Sequence, residues 1–119
     1  MGENLKASKQ SLESSLEMLD TVPSGGIPSD ELRDIRVKIQ IGLNALIQNE
    51  KAIWLRTKKG RDILGEFHEA SLKLRDAVEQ LEGETSATLL DGVKVALVDV
   101  EAVAKKLNDE TRRRSMVVT

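Results

Sequence analysis

The sequence predicts an all-α protein, an antiparallel helical bundle of four helices, and three observations carry that expectation. Apolar residues recur at spacings of three and four along most of the chain with charged residues between them, the pattern of helices that each bury one stripe. Aromatic residues make up 2% of the chain against 39% hydrophobic residues in total. The core is therefore built from Leu, Ile, Val and Ala, which suits packed helices better than a β-sandwich. Proline and glycine gather in one stretch, Val22-Pro23-Ser24-Gly25-Gly26-Ile27-Pro28, which cannot continue a helix and reads as a loop.

The first helix is expected over residues 3–21, with Leu5, Leu12, Leu16 and Leu19 on its buried side. After the loop, Ser29 is placed as an N-cap, and Asp30 and Glu31 complement the dipole of a first turn. The second helix then runs over residues 29–58 with Leu32, Ile35, Ile39, Leu43, Leu46 and Ile53 on its stripe. Within it, residues 35–43 also alternate strictly, which is a strand pattern. The cap before this stretch and the helical stripe beyond it favour helix.

Gly60 follows Arg56, Lys58 and Lys59 and reads as the glycine just past a helix C-terminus. The alternative is one long kinked helix and a three-helix bundle. The third helix is expected over residues 62–82, with Ile63, Phe67, Ala70, Leu74, Ala77 and Leu81 inward, ending at Gly83. The fourth is expected over residues 86–112, with Leu89, Val93, Ala96, Val100, Val103, Ala104 and Leu107 inward and a loose tail from Ser115. All 119 residues then form a single domain. Residues 15–22 align with 71–78, and 32–46 with 89–103; helical periodicity alone produces matches of this kind.

Composition narrows function mainly by exclusion. A formal net charge of −2 argues against a dedicated nucleic-acid binder. The chain has no cysteine, which removes disulfides, thiolate nucleophiles and thiolate metal sites. No run approaches the roughly 18 apolar residues of a spanning helix, and the N-terminal residues lack the pattern of a signal peptide. A soluble, cytoplasmic protein is the expectation. The only histidine, His68, lies two residues after Glu66, whereas a di-iron carboxylate bundle needs Glu-x-x-His pairs on two helices. Glu66, Glu69, Glu79 and Glu82 lack a matching acidic pair on a further helix, so a solvated charged face explains them better than bound Mg²⁺. Neither catalysis nor a cofactor or metal is expected.

The expected function is that of a non-catalytic interaction module, an adaptor, chaperone-like or assembly protein, that binds a protein partner or itself through a helix face. Val37, Ile41, Val95 and Val98 lie off the main stripes, and at about 100° per residue they give two helices a second apolar side. A homodimer is the simplest use of such a side. The alternative is binding to an anionic membrane surface or nucleic acid through residues 51–61, which carry five basic side chains, no acidic one and the only Trp. The residues concerned are Trp54, Arg56, Lys58, Lys59 and Arg61. Trp54 either presents its ring to a partner or fills the end of the bundle. Arg112-Arg113-Arg114 forms a second basic cluster.

Leu16-Glu17-Met18-Leu19-Asp20-Thr21-Val22, then Leu32-Arg33-Asp34-Ile35-Arg36 and Ile39-Gln40 with Leu43 and Leu46, resemble the last two helices of the BAG domain, the Hsp70 co-chaperone module. The resemblance covers residues 16–46. It implies contacts with the Hsp70 nucleotide-binding domain through Glu17, Asp20, Arg33, Arg36 and Gln40.

Overall fold

The structure, a computed structural model, describes residues 2–22 and 27–117. It consists of α1 (Gly2–Leu19), α2 (Ser29–Asn49), a short 3₁₀ helix η1 (Ile53–Arg56), α3 (Lys58–Gly83) and α4 (Ala87–Val117), with no strand among the described residues. The Pro23 to Gly26 part of the expected loop lies outside the described residues, as do Val118 and Thr119. The bundle is a rod of 53 × 24 × 19 Å.

Around the bundle α1 adjoins α2 and α3, and α4 also adjoins α2 and α3. Polar contacts fix the directions. Lys9 reaches Glu50 at 3.1 Å and Lys106 reaches Glu66 at 3.1 Å, so α1/α2 and α3/α4 are antiparallel hairpins. Glu31 pairs with Lys94, Lys38 approaches Glu101, and Thr21 donates to Glu82, so α2/α4 and α1/α3 run parallel. Each half of the chain is thus one helical hairpin, and α2 and α3 are diagonal partners although consecutive in sequence.

Along α1 and the turn that follows it, the positions Leu5, Ser8, Leu12, Ser15, Leu19 and Val22 repeat at alternating spacings of three and four. Ser8 and Ser15 are fully buried alongside Leu12. A third of this seam is serine, which a reading of apolar residues overlooks. Ser15 satisfies its hydroxyl on the Ser11 carbonyl at 2.9 Å, whereas the Ser8 and Ser71 hydroxyls have no partner. The α3 and α4 ladders form as expected, with Phe67, Leu74, Leu81, Val93, Val100 and Leu107 fully buried. Ala77, Leu89 and Val103 sit at the core's edge, and Leu64, Val78, Leu90 and Leu97 join it.

The segment joining α2 to α3 departs from expectation. α2 ends at Asn49, nine residues before the expected boundary at 58, and α3 begins at Lys58 instead of 62. Asn49 is buried, and its amide donates to the Ala45 carbonyl at 2.7 Å and to Asn108 Oδ1 at 2.8 Å, a side-chain bond that competes with helix continuation. The chain then turns across the bundle end so that Trp54 and Leu55 enter the core, and Ile53 is left 81% exposed instead of lying on the α2 stripe.

Thr57 restarts the helix. Its hydroxyl accepts from the Gly60 N–H at 3.2 Å and donates to the Trp54 carbonyl at 2.6 Å. Gly60 is therefore inside the first turn of α3 and caps no helix end. It is a glycine for space: a Cβ there would lie 2.4 Å from Leu55 Cα and 2.5 Å from the Trp54 carbonyl oxygen.

The ends of the other helices carry smaller corrections. Pro28, not Ser29, occupies the N-cap of α2, and no side chain caps it. α4 begins at Ala87, one residue after the expected start at 86, and Ser86 caps it, accepting from the Leu89 N–H at 3.1 Å. α4 continues to Val117, past the predicted end near 112 and into the tail expected to be loose. No helix of the described residues is long and apolar enough to cross a membrane.

Candidate functional site

The buried positions of α2 are Ile35, Ile39, Gly42, Leu43, Ala45, Leu46 and Asn49. Val37 and Ile41 lie two residues after Ile35 and Ile39, which turns them about 200° from those two core side chains. They are 51% and 55% exposed, and on α4 Val95 and Val98 are 66% and 62% exposed. The structure places Ile41 and Val98 in one groove of about 740 Å³ between α2 and α4. Gly42 and Ala104 also line it, with Lys38, Lys105 and Asp109 among its charged residues.

Gly42 is what lets the two helices approach: a Cβ there would stand 3.0 Å from Val100 Cγ1. Val95 continues the apolar surface one turn before Val98 on α4. Val37 instead opens onto a neighbouring groove with Leu16, Asp20, Arg36 and Gln40. Ile47, 45% exposed on α2, extends the outward aliphatic set and was hidden in sequence by the strong stripe beside it.

The residues implied by the BAG resemblance divide in the same way. Asp20, Arg36 and Gln40 meet in the α1/α2 groove. Arg36 bonds Asp20, and Gln40 donates to Asn44 at 3.0 Å. Glu17 and Arg33 are exposed outside it.

Of the anion-binding candidates, Trp54 is corrected. It is 8% exposed, its indole N–H donates to Thr111 Oγ1 at 2.9 Å, and Arg114 covers the ring 5.1 Å from its centroid. The ring closes the end of the bundle, so it is not presented to a partner.

Arg56, Lys58, Lys59 and Arg61 remain on the surface, and α4 brings Arg112, Arg113 and Arg114 to the same end. The hub is Glu110, 9% exposed at its side chain, which takes Lys59 at 3.2 Å, Arg114 at 3.1 Å and Arg113. The hydrogen bond from Arg113, helped by Lys59, holds the Glu110 carboxyl down at about 2, against partial burial that pushes it up. The i+3 and i+4 spacing of Arg113 and Arg114 from Glu110 was legible in sequence; the approach of Lys59 from α3 was not.

The acidic and histidine candidates stay dispersed. Glu66 pairs with Lys106, Glu82 accepts from Thr21, and His68 is half-buried with Nδ1 unpartnered. Among the described residues no three His, Asp or Glu side chains converge in a way that could hold a metal ion. No family model, no curated protein and no solved structure matches this chain.

Proposed function

We propose that the protein is a non-catalytic interaction module whose working surface is the α2/α4 face, and that its first occupant is a second copy of the chain. The observation that carries this reading is the shared groove of Ile41 and Val98, continued by Val95 on α4. Aliphatic side chains this exposed recover hydrophobic free energy, about 25 cal/mol per Å² of apolar area, when a partner covers them.

The charges at the groove suit self-pairing. Lys38, Lys105 and Arg112 face Glu101 and Asp109 along one short surface, so a copy related by a two-fold axis meets opposite signs at its rim. An adaptor, chaperone-like or assembly role follows from holding a partner on such a face. An Hsp70-directed version would use the α1/α2 groove instead, where Asp20, Arg36, Val37 and Gln40 meet.

Sedimentation equilibrium of the wild type and of Ile41→Glu/Val98→Glu tests the reading. Concentration-dependent dimerisation that the double variant abolishes, with helical content intact, supports it. A wild type that remains monomeric at every accessible concentration overturns it.

A further inference from the structure

We infer that the η1 end of the rod is a docking site for an anionic lipid surface, with Ile53 as its apolar tip. Folding merges two basic segments that are far apart in sequence. Residues 51–61 carry five basic and no acidic side chains. Residues 105–114 carry Lys105, Lys106, Arg112, Arg113 and Arg114 against Asp109 and Glu110. Arg114 over Trp54, and Lys59 on Glu110, hold the two segments together.

Three of the carboxylates at this end are already engaged, while Glu3 and Asp109 form no ion pair among the described residues. Glu50 is bonded by Lys9, Asp62 by Lys58, and Glu110 is shared by three cations. Lys51, Arg56 and Arg61 form no ion pair among the described residues, so the end keeps an excess of positive charge. The far end is opposite in sign: residues 76–91 carry five acidic and no basic side chains. A rod charged in this way approaches a negative surface end-on.

The apolar tip selects among anionic partners. Ile53 is the most exposed large aliphatic residue described, at 81%, and stands between Lys51 and Arg56 beside a small groove lined by Leu5, Leu55 and Leu64. Phosphate backbones give an isoleucine nothing to bury against. The two aromatic rings that would stack on bases, Trp54 and Phe67, are both in the core. The acidic end of a second copy is a poor fit too, because Val22 and Ile27 there are buried. A bilayer interface offers an acyl boundary beneath anionic headgroups, which accommodates an aliphatic tip ringed by cations.

Co-sedimentation of the full chain with vesicles of phosphatidylcholine, with and without phosphatidylserine, tests this. The wild type is expected on the phosphatidylserine vesicles only, with retention falling as salt is raised. Each basic charge near the surface contributes about fivefold in affinity, so Lys51→Glu/Arg56→Glu should weaken retention more than tenfold. Ile53→Ser should weaken it severalfold, with the circular dichroism of both variants unchanged. Ile41→Glu/Val98→Glu should bind vesicles like the wild type, which separates this site from the α2/α4 face.

Absence of binding to anionic vesicles at low salt overturns the inference, as does equal retention on phosphatidylcholine alone. Binding of Ile53→Ser at wild-type strength, together with equal binding of both proteins to a nucleic-acid duplex, overturns it in favour of a phosphate-backbone site.

Discussion

Replacing Gly60 by alanine sets two physical effects against each other, and the structure decides the sign. Gly60 lies in the first turn of α3 with no positive φ, so helix propensity and the lost freedom of the unfolded chain favour alanine by about 0.5–1 kcal/mol. The added Cβ would lie 2.4 Å from Leu55 Cα, 2.5 Å from the Trp54 carbonyl oxygen and 2.6 Å from the Leu55 carbonyl carbon. These are backbone atoms of η1, and no rotamer change relieves them.

Overpacking costs about 1–3 kcal/mol when side chains can shift; displacing a turn belongs at the upper end, which leaves a net loss of about 2 kcal/mol. For 119 residues that corresponds to a drop in Tm of roughly 6–10 °C. Gly65→Ala is the control on the same helix. Nothing lies within 4 Å of a Cβ there, and the substitution should raise stability by about 0.5–1 kcal/mol. Urea and thermal unfolding followed by circular dichroism read both. A Gly60→Ala protein as stable as the wild type would refute the argument that η1 folds back against α3 at this residue.

Three further outcomes are expected. Trp54→Phe loses the bond to Thr111 and should destabilise by about 0.5–1.5 kcal/mol in urea titrations, while vesicle binding stays at wild-type strength because the ring is covered. Glu110 has a folded-state carboxyl near 2 against an ordinary value of 4.5, so its stabilisation is present above pH 4.5 and is lost as pH falls toward 2. Glu110→Gln should therefore lower the urea midpoint at neutral pH and flatten its fall across that acid window. A variant with the wild-type acid slope would contradict the assignment. Ser8→Ala removes a buried hydroxyl that has no partner and should raise stability by about 1 kcal/mol; a loss of that size would mean the hydroxyl is satisfied.

How much of this was legible in the sequence follows from which interactions are periodic. The inward ladders of α3 and α4 and the outward Val37, Ile41, Val95 and Val98 were visible because register alone assigns them. The α2–α3 junction was not. Its determinants are Asn49 bonding across to Asn108, Thr57 capping α3, and a glycine chosen for clearance from η1. Thr57 was a readable N-cap, but Gly60 behind a run of cations gave a competing end signal. Trp54 was ambiguous because Thr111 and Arg114, which cover it, are more than fifty residues away. The parallel packing of α2 on α4 was likewise invisible, and it is what brings Ile41 beside Val98.

The central claim is that the α2/α4 face pairs with itself, and distances between labels on two copies test it most directly. The chain has no cysteine, so Lys105→Cys at the groove and Glu79→Cys on α3 each carry one nitroxide without further substitution. Dipolar coupling in solution should place the labels closer together for Lys105→Cys than for Glu79→Cys, and Ile41→Glu/Val98→Glu should erase both signals. The reverse order of distances, or no coupling at either position at concentrations where the wild type is studied, would contradict the account.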